Sequence, residues 1–313
     1  MKKDTILVIG AGGQLGTELS QALQKKYGQN QVISSDVRQL TEFDGIVETL
    51  DATNAQAIAD LVGKYKVTQI YHLAAILSAK GEQSPMATWD INMSALLNVL
   101  EVGREKKLDK IYYPSSIAVF GADTPKINTP QDALLSPQTV YGISKQAGEN
   151  WCRYYFERYG LDVRSLRYPG LISYKTLPGG GTTDYAVDIY IKALESNHYE
   201  CFLNENTYLP MLYMPDAVRA TLELMEADSQ KISVRTSYNL GGMSFSPKEI
   251  TTEIQNILTD FTITYKPDAR QKIADSWSDS IDDQVATRDW GWKDEFNLKT
   301  MSEDMLLNLK KRF

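Results

Sequence analysis

A tyrosine and a lysine are the residues of this chain whose spacing most directly suggests chemistry. Tyr141 and Lys145 stand four positions apart in Tyr-Gly-Ile-Ser-Lys, so on a helix both side chains share one face. A free tyrosine has a pKa of about 10, and a nearby ammonium stabilises the phenolate and lowers that pKa. The pair could therefore take a proton from an alcohol or return one to a carbonyl. A helix with a buried tyrosine and a surface lysine has the same spacing, and the rest of the chain decides between the two.

The composition is that of a globular protein with one large or two ordinary domains. The chain has 313 residues, of which 42% are hydrophobic and 23% charged, and this balance is typical of soluble domains. The net charge of −7 comes without a basic block, which argues against nucleic acid or an anionic membrane as a partner. Cys152 and Cys201 form no disulfide framework, so we expect a reducing, cytoplasmic compartment. The two histidines show no metal-ligand spacing.

A glycine-rich turn near the start predicts a dinucleotide-binding site. The apolar run 5–9 reads as a strand buried on both faces, and residues 17–27 read as a helix. Between them lies Gly10-Ala11-Gly12-Gly13-Gln14-Leu15-Gly16. Glycines let the backbone approach a pyrophosphate, and the helix N-terminus offers free N–H groups. A tight turn without a ligand is the alternative interpretation.

Asp36 closes the second predicted strand, 31–36, and lies twenty residues after Gly16. That separation fits the acid that accepts hydrogen bonds from the ribose of the cofactor. A carboxylate repels a 2′-phosphate, so we predict NAD rather than NADP as the cofactor. Arg38 is the counter-indication, because an arginine nearby can accept that phosphate.

Three further strand ends carry candidate residues. Asp51 follows a short third strand, where it could cap the next helix or bind adenine. Leu73-Ala74-Ala75 follow the strand 67–73, and small residues there let a cofactor lie against the backbone. The strand 109–114 ends in Ser115-Ser116. Ligands of open α/β sheets bind at the carboxyl ends of strands, so these residues belong to the predicted site.

The fold class that these patterns predict is α/β, a Rossmann-type doubly wound parallel sheet with a smaller C-terminal α+β domain. We predict the NAD-binding domain over residues 1–170, with a return segment at about 211–240. The substrate-binding domain is then 171–210 with 241–313. In that second part, a glycine-rich stretch at 178–184 opens a helix, and it reads either as a substrate loop or as a flexible connection with a helix cap at Asp184.

These residues together resemble the extended short-chain dehydrogenase/reductase family. The motifs that carry the resemblance are Gly10-x-x-Gly13-x-x-Gly16, Asp36, Asp51, Leu73-Ala74-Ala75, Asn92, Ser116, Tyr141-x-x-x-Lys145 and Arg167-Tyr168-Pro169. Within that family, the chain looks like the NAD-dependent L-threonine 3-dehydrogenases of short-chain type. That narrower likeness rests on Tyr168 to Ser173, on 178–184, on Tyr213 to Ala217 and on Ile281 to Trp292.

The resemblance implies a reaction and a set of roles. Tyr141 would be the base that removes the C3 hydroxyl proton of L-threonine, assisted by Lys145 and Ser116, and the product would be 2-amino-3-oxobutyrate. The substrate-binding residues it implies are Ser78, Ser116, Tyr141, Gly180, Thr182 and Asp184. The NAD-binding residues it implies are Gly10, Gly13, Gln14, Leu15, Gly16, Asp36, Arg38, Asp51, Ala52, Leu73, Ala74, Ala75, Asn92, Tyr141, Lys145, Tyr168 and Leu171.

Two other functions stay open at this point. A nucleotide-sugar epimerase or dehydratase would use the same tyrosine and lysine, and Arg219, Arg235 and Arg270 could serve its diphosphate. A non-catalytic NAD-sensing regulator would keep the glycine turn but would not need Tyr141. The family also pairs subunits through two helices, which here correspond to about 86–103 and 141–159, so a homodimer is expected by resemblance.

Overall fold

The structure is a computed structural model that describes residues 4–41, 43–175, 179 and 181–312. Their contacts separate into two compact units. The first unit contains the chain up to Ser116, Thr139–Arg167 and Val218–Tyr238, and the second contains Ile117–Gln138, Tyr168–Ala217 and the chain from Asn239 onward. No helix of this described part is long and apolar enough to cross a lipid bilayer.

The elements alternate between strand and helix through the first half. The strands are β1 (Ile6–Ile9), β2 (Val32–Asp36), β3 (Ile46–Thr49), β4 (Gln69–His72), β5 (Lys110–Ser116), β6 (Val163–Tyr168), β7 (Gly170–Ile172), β8 (His198–Cys201), β9 (Leu209–Tyr213), β10 (Tyr238–Asn239), β11 (Met243–Phe245) and β12 (Thr262–Tyr265). The helices are α1 (Gln14–Tyr27), α2 (Ala55–Tyr65), α3 (Ser78–Gly81), α4 (Pro85–Lys106), α5 (Val140–Tyr159), α6 (Tyr185–Ser196), α7 (Met214–Glu226), α8 (Pro247–Gln255), α9 (Ala269–Ala274), α10 (Gln284–Trp290) and α11 (Leu298–Leu309).

The first unit is built on a seven-stranded sheet with the order β10-β6-β5-β4-β1-β2-β3. β1 pairs in parallel with both β2 and β4, which is where the strand order reverses. Every residue of β1 is buried, as expected of a central parallel strand covered on both faces. The reversal places the carboxyl ends of β1 and β4 at the point where doubly wound sheets bind ligands. The predicted Rossmann-type fold is therefore confirmed.

Two long helices, α4 and α5, pack against each other in the first unit. α5 begins after Thr139, whose side chain accepts a hydrogen bond from the N–H of Gly142 at 3.0 Å. It ends at Gly160, where φ is +69°; such a left-handed residue is a common helix stop. The Thr139 cap fixes where the helix starts, and so sets which face carries Tyr141 and Lys145.

The second unit has two small sheets of its own. β11, β9 and β7 form one sheet, and β12 pairs with β8 in the other. The helix α8 begins with a capping box in which Ser246 and Glu249 bond reciprocally. Helix α11 begins with a similar box at Asn297 and Thr300. Each box bonds backbone N–H groups that the first turn of the helix leaves free, so local sequence determines where α8 and α11 begin.

The compact units divide the chain differently from the predicted domain limits. Residues 117–138 group with the second unit, whereas the sequence prediction gave them to the first. The cause is visible in backbone hydrogen bonds: Thr129 donates to the carbonyl of Ser280 and Asp282 donates to the carbonyl of Thr129. Three prolines lie in this segment, and they identify a loop but carry no information on where that loop packs.

Candidate active site

Tyr141 lies in the first turn of α5, and its phenol meets the end of β5. The hydroxyl of Ser116 hydrogen-bonds to it, which lowers the pKa of Tyr141, but burial has the larger effect and raises that pKa to about 12. Lys145, one turn further along the helix, is 4% exposed. Its ammonium lies 5.5 Å from the centre of the Tyr141 ring. That Lys145 lowers the pKa of Tyr141 stays a prediction, because burial and the Ser116 hydrogen bond are the two causes of the shift found in the structure.

The ammonium of Lys145 is held from β5 as well. It donates to the carbonyl oxygen of Pro114 at 2.6 Å. Burial lowers the pKa of Lys145 to about 7, and the charge of Glu149 opposes that shift. A lysine whose pKa lies near neutrality exchanges protons readily, which suits a partner in proton transfer.

Ser115 and Ser116 have different partners, which separates the two candidates for the substrate oxygen. Ser115 is 2% exposed and donates to the carboxylate of Glu149 at 2.6 Å. That carboxylate also accepts from Arg167 through Nε at 2.9 Å and Nη2 at 2.8 Å. Ser115 is therefore committed to a buried ion pair, and Ser116 is the serine beside Tyr141. The sequence prediction missed Glu149, although its spacing of four residues after Lys145 was a usable signal.

The glycine turn forms a tightly packed cradle at the start of α1. A Cβ on Gly16 would lie 2.2 Å from the carbonyl oxygen of Gly10. One on Gly10, where φ is +90°, would lie 2.6 Å from the amide nitrogen of Ala74. The first helical residues, Gln14 and Leu15, are half-buried, and no side chain caps the helix at Gly13. Free N–H groups at such a terminus suit a pyrophosphate.

Asp36 is buried beside this turn. One carboxylate oxygen accepts from the N–H of Gly12 at 3.1 Å, and the other accepts from the backbone and Nε of Arg38 at 3.0 and 3.2 Å. Arg38 also donates to the carbonyl of Gly12 at 3.0 Å, yet its side chain is 68% exposed. Asp36 and Arg38 therefore lie together at the position where the ribose of the cofactor is predicted to bind.

Asp51 does not cap the following helix. Asn54 is the cap residue of α2, and its side chain accepts from the N–H of Ala57 at 3.0 Å. Asp51 instead accepts from the backbone and hydroxyl of Thr53, an Asx-type turn that aspartate favours over distant capping. The capping alternative was therefore wrong, and Asp51 remains exposed beside the buried Ala52.

Asn92 supports the loop after β4. Its side-chain amide accepts from the N–H of Ile76 at 2.8 Å and donates to the carbonyl of Ile76 at 3.1 Å. It also reaches Ser144 of α5 at 3.4 Å. Leu73, Ala74 and Ala75 in this loop are half-buried, and Ser78 is buried at the start of α3. Asn92 thus ties the predicted cofactor loop to the helix that carries Tyr141.

The predicted substrate residues of the second unit lie in a short turn before α6. Thr182 is 1% exposed, and its hydroxyl has no hydrogen-bond partner among the described residues. Asp184 accepts from the N–H of Gly181 at 2.6 Å and makes no capping bond to α6. Gly180 lies outside the described residues. Tyr168 is buried and Leu171 half-buried in the same unit.

The three arginines that could serve a diphosphate each have an acidic partner. Arg219 pairs with Glu223 at 2.9 Å, Arg235 with Asp162 at 2.8 Å and Arg270 with Asp268 at 2.5 Å. The last two also lie against phenylalanine rings. An arginine already paired has less to offer a second anion, which weakens the nucleotide-sugar alternative.

The sequence profile of the NAD dependent epimerase/dehydratase family matches residues 6–241. The chain belongs to this family. An uncharacterized epimerase/dehydratase of Staphylococcus haemolyticus is 44% identical over 99% of this chain and 98% of its own. The holo form of a GalE-like L-threonine dehydrogenase from Cupriavidus necator superposes with a TM-score of 0.96 at 54% identity, covering 97% of this chain and 99% of that one.

Another solved structure bears on assembly. A monomeric L-threonine 3-dehydrogenase from a metagenome, in its apo form, superposes with a TM-score of 0.96 at 49% identity and covers 98% of this chain and 99% of its own. The family resemblance stated from the motifs is confirmed, and these two solved structures, both similar to this chain over nearly its whole length, are L-threonine dehydrogenases. Among its relatives, subunit pairing is evidently not universal.

Proposed function

We propose that this protein oxidises the C3 hydroxyl of L-threonine to 2-amino-3-oxobutyrate with NAD as the hydride acceptor. The observation that carries the proposal is the Ser116–Tyr141–Lys145 arrangement, in which a serine, a buried phenol and a buried ammonium meet at the end of β5. Solved relatives at about half identity over nearly the whole chain are described as L-threonine dehydrogenases, which supports this substrate.

The first unit fits the cofactor that the family name implies. The positions of Gly10 and Gly16 leave no room for a side chain, α1 begins without a side-chain cap, and Asp36 is available for the ribose. Bound there, NAD supplies the acceptor for the hydride that leaves C3. We infer that Asp36 selects NAD over NADP, because its carboxylate repels a 2′-phosphate.

The proton is handled by the chain's own residues. Ser116 donates to the substrate oxygen and orients it, and the phenolate of Tyr141 takes the C3 hydroxyl proton. A phenol whose pKa is raised by burial is a strong base once ionised. A positive charge beside it is therefore needed to make the phenolate accessible near neutral pH, and Lys145 is the cation placed to supply it.

The substrate contacts of the second unit are part of the same proposal. Among the described residues, the buried hydroxyl of Thr182 has no hydrogen-bond partner, and such a group is stabilised by a ligand that bonds to it. Asp184 offers a carboxylate for the substrate ammonium, and the loop N–H groups suit the substrate carboxylate. Ser78 and Gly180 keep their predicted substrate contacts as proposals.

A homodimer through α4 and α5 is also proposed. Trp151 and Tyr154 on α5 are 38% and 46% exposed, and Ile91 on α4 is 42% exposed. Exposed aromatic and aliphatic side chains on two packed helices favour a second copy as their cover. Cys152 and Cys201 are free and buried, which suits the reducing, cytoplasmic compartment that we propose.

One assay tests the function directly. Purified protein is mixed with NAD and L-threonine, and nicotinamide absorbance is followed across mildly alkaline pH. NADH formation with L-threonine, and none with D-threonine, is expected. Turnover of a UDP-sugar without any NADH formation from L-threonine would refute the proposal and revive the epimerase alternative.

A further inference from the structure

Tyr113 places its aromatic face against the ammonium of Lys145. The ammonium nitrogen lies 4.5 Å from the centre of the Tyr113 ring, closer than to the ring of Tyr141 at 5.5 Å. A cation within about 6 Å of a ring face is attracted by the ring's quadrupole, most strongly where water is excluded. Tyr113 is 5% exposed and Lys145 4%, so this contact is made away from solvent.

The ring is fixed in that position from two sides. A Cβ on Gly148 of α5 would lie 2.4 Å from the hydroxyl oxygen of Tyr113, so the absence of a side chain there admits the phenol. On β4, the ring of His72 stacks against Tyr113 with centroids 6.3 Å apart and planes at 18°. The ring therefore cannot turn away from Lys145 without displacing α5 or His72.

Of the titratable groups around Lys145 that the structure describes, none is a free anion. On α5, Glu149 is paired with Arg167 of β6, and burial raises the pKa of the Cys152 thiol. Burial also raises the pKa of Tyr141, so its phenol is neutral until catalysis. On β4, burial and the Lys145 charge lower the pKa of His72 to about 3.

Two neutral groups of β5 therefore favour the ammonium: the Tyr113 ring, 4.5 Å away, and the Pro114 carbonyl, 2.6 Å away. Both come from consecutive residues of β5. The carbonyl acts on one N–H group through a hydrogen bond. The ring acts on the charge itself, and so on which protonation state is stable.

We propose that Tyr113 is a positioning residue for proton transfer: the face of its ring keeps Lys145 an ammonium beside Tyr141. The inference rests on the proposed function, in which Lys145 assists Tyr141. It assigns no step to Tyr113, whose own pKa burial raises well above the usual value. It predicts that the strength of the ring quadrupole sets the titration midpoint of Lys145.

The test keeps the shape of the ring and changes only its quadrupole. The variant Tyr113→Phe is compared with incorporation of 4-fluoro-, 3,5-difluoro- and 3,4,5-trifluorophenylalanine at the same position. Lys145 is titrated by NMR in cofactor-free protein labelled at the lysine ε-carbons, and its signal is assigned by its loss in Lys145→Arg. The full chain is used throughout, and thermal unfolding of each variant is recorded as the folding control.

The midpoint of Lys145 is expected to change little in Tyr113→Phe and then to fall stepwise with each fluorine, by about one pH unit at the trifluoro ring. Tyr113→Leu should reach a similarly low midpoint if it folds, and the fluorinated series decides the matter if it does not. Equal midpoints across the series, with unchanged unfolding temperatures, would overturn the inference. The titration involves no threonine, so a failure to oxidise threonine would sink the proposed function without deciding this result.

Discussion

The two ends of the predicted site differ in how far their charged side chains are exposed to solvent. On the proton-transfer face, formed by residues 113–116 of β5 with Tyr141, Lys145 and Glu149 of α5, the ion pair between Glu149 and Arg167 has side chains only 1% and 4% exposed. At the ribose acid, Asp36 is also buried, but its partner Arg38 is 68% exposed. One region removes both charges from water, and the other leaves its cation in solvent.

The difference indicates where charges can change the pKa of a reacting group and where they can only favour one cofactor over another. Charges interact several times more strongly in a region of low effective dielectric than in water. Burial in such a region also penalises the charged form of a group, which raises the pKa of Tyr141 and lowers that of Lys145. Shifted pKa values of this kind are typical of groups that transfer protons. Water screens the charge of the exposed Arg38, so this arginine cannot shift pKa values in the same way. We infer that Asp36 and Arg38 discriminate between cofactors instead.

The largest expected effect is on turnover in Tyr141→Phe. Removing the phenol removes the base, and general base catalysis contributes about 10²- to 10⁴-fold, so NADH formation should fall by that factor. NAD affinity, measured by calorimetry, should change by no more than about tenfold, because one hydrogen bond contributes only about 0.5–1.5 kcal/mol. Tyr154→Phe, on the exposed side of the same helix, is the matched control and should keep full activity. Near-normal turnover in Tyr141→Phe would show that Tyr141 is not the base and would contradict the proposed role of the proton-transfer face.

Glu149→Gln should have the largest effect on stability. The substitution keeps the shape but removes the negative charge that pairs with the buried guanidinium of Arg167, and breaking a buried ion pair costs about 3–5 kcal/mol of unfolding free energy. Glu195→Gln breaks an exposed pair with Lys192 and should cost less than about 1 kcal/mol. Urea unfolding at pH 7 compares the two. If both variants lost the same small amount, the contrast between buried and exposed charge would not hold.

Lys145→Met tests the same contrast through pH. The folded pKa of Lys145, about 7, lies below its ordinary value of 10.5, so the folded state binds fewer protons than the unfolded state between those two limits. The cost of burying the ammonium is therefore complete below pH 7 and declines as pH rises above it. The variant should be more stable than wild type at pH 6, and that advantage should shrink by about 2 kcal/mol between pH 7 and 8.5.

Unfolding free energies at pH 6, 7 and 8.5 measure this change. Lys64→Met provides the control. The Lys64 side chain is 57% exposed, and its ammonium stays charged in the folded and in the unfolded state over that pH range. An advantage of Lys145→Met that is constant across all three pH values would mean that Lys145 does not lose its proton there.

The sequence predicted the elements and the reactive pair because both depend on short-range patterns. Periodicity fixes the faces of α5, and the run 5–9 with its glycines fixes the turn after β1. Glu149, Tyr113 and the packing of residues 117–138 were not predicted. Tyr113 and residues 117–138 depend on which elements pack together. For Glu149 the helical spacing after Lys145 was a signal, but its pairing with Ser115, 34 positions away, leaves no local signature. At Asp51 a local pattern was misleading: an acid before a helix suggests a cap, but Asn54 is the cap residue.

The smallest expected effect lies at the ribose acid. Asp36→Ala removes the carboxylate that repels a 2′-phosphate and releases Arg38, whose Nε now donates to that carboxylate at 3.2 Å. The preference for NAD over NADP, measured as the ratio of kcat/KM values, should therefore fall about tenfold, equivalent to about 1.4 kcal/mol. Adding Arg38→Ala should reverse the gain with NADP, because the freed guanidinium is the group that would hold the phosphate. Asp51→Ala replaces an exposed acid whose carboxylate accepts from Thr53 in a local turn, and it should leave the ratio unchanged. If Asp51→Ala alters the ratio as much as Asp36→Ala does, general surface charge rather than a ribose-reading acid selects the cofactor.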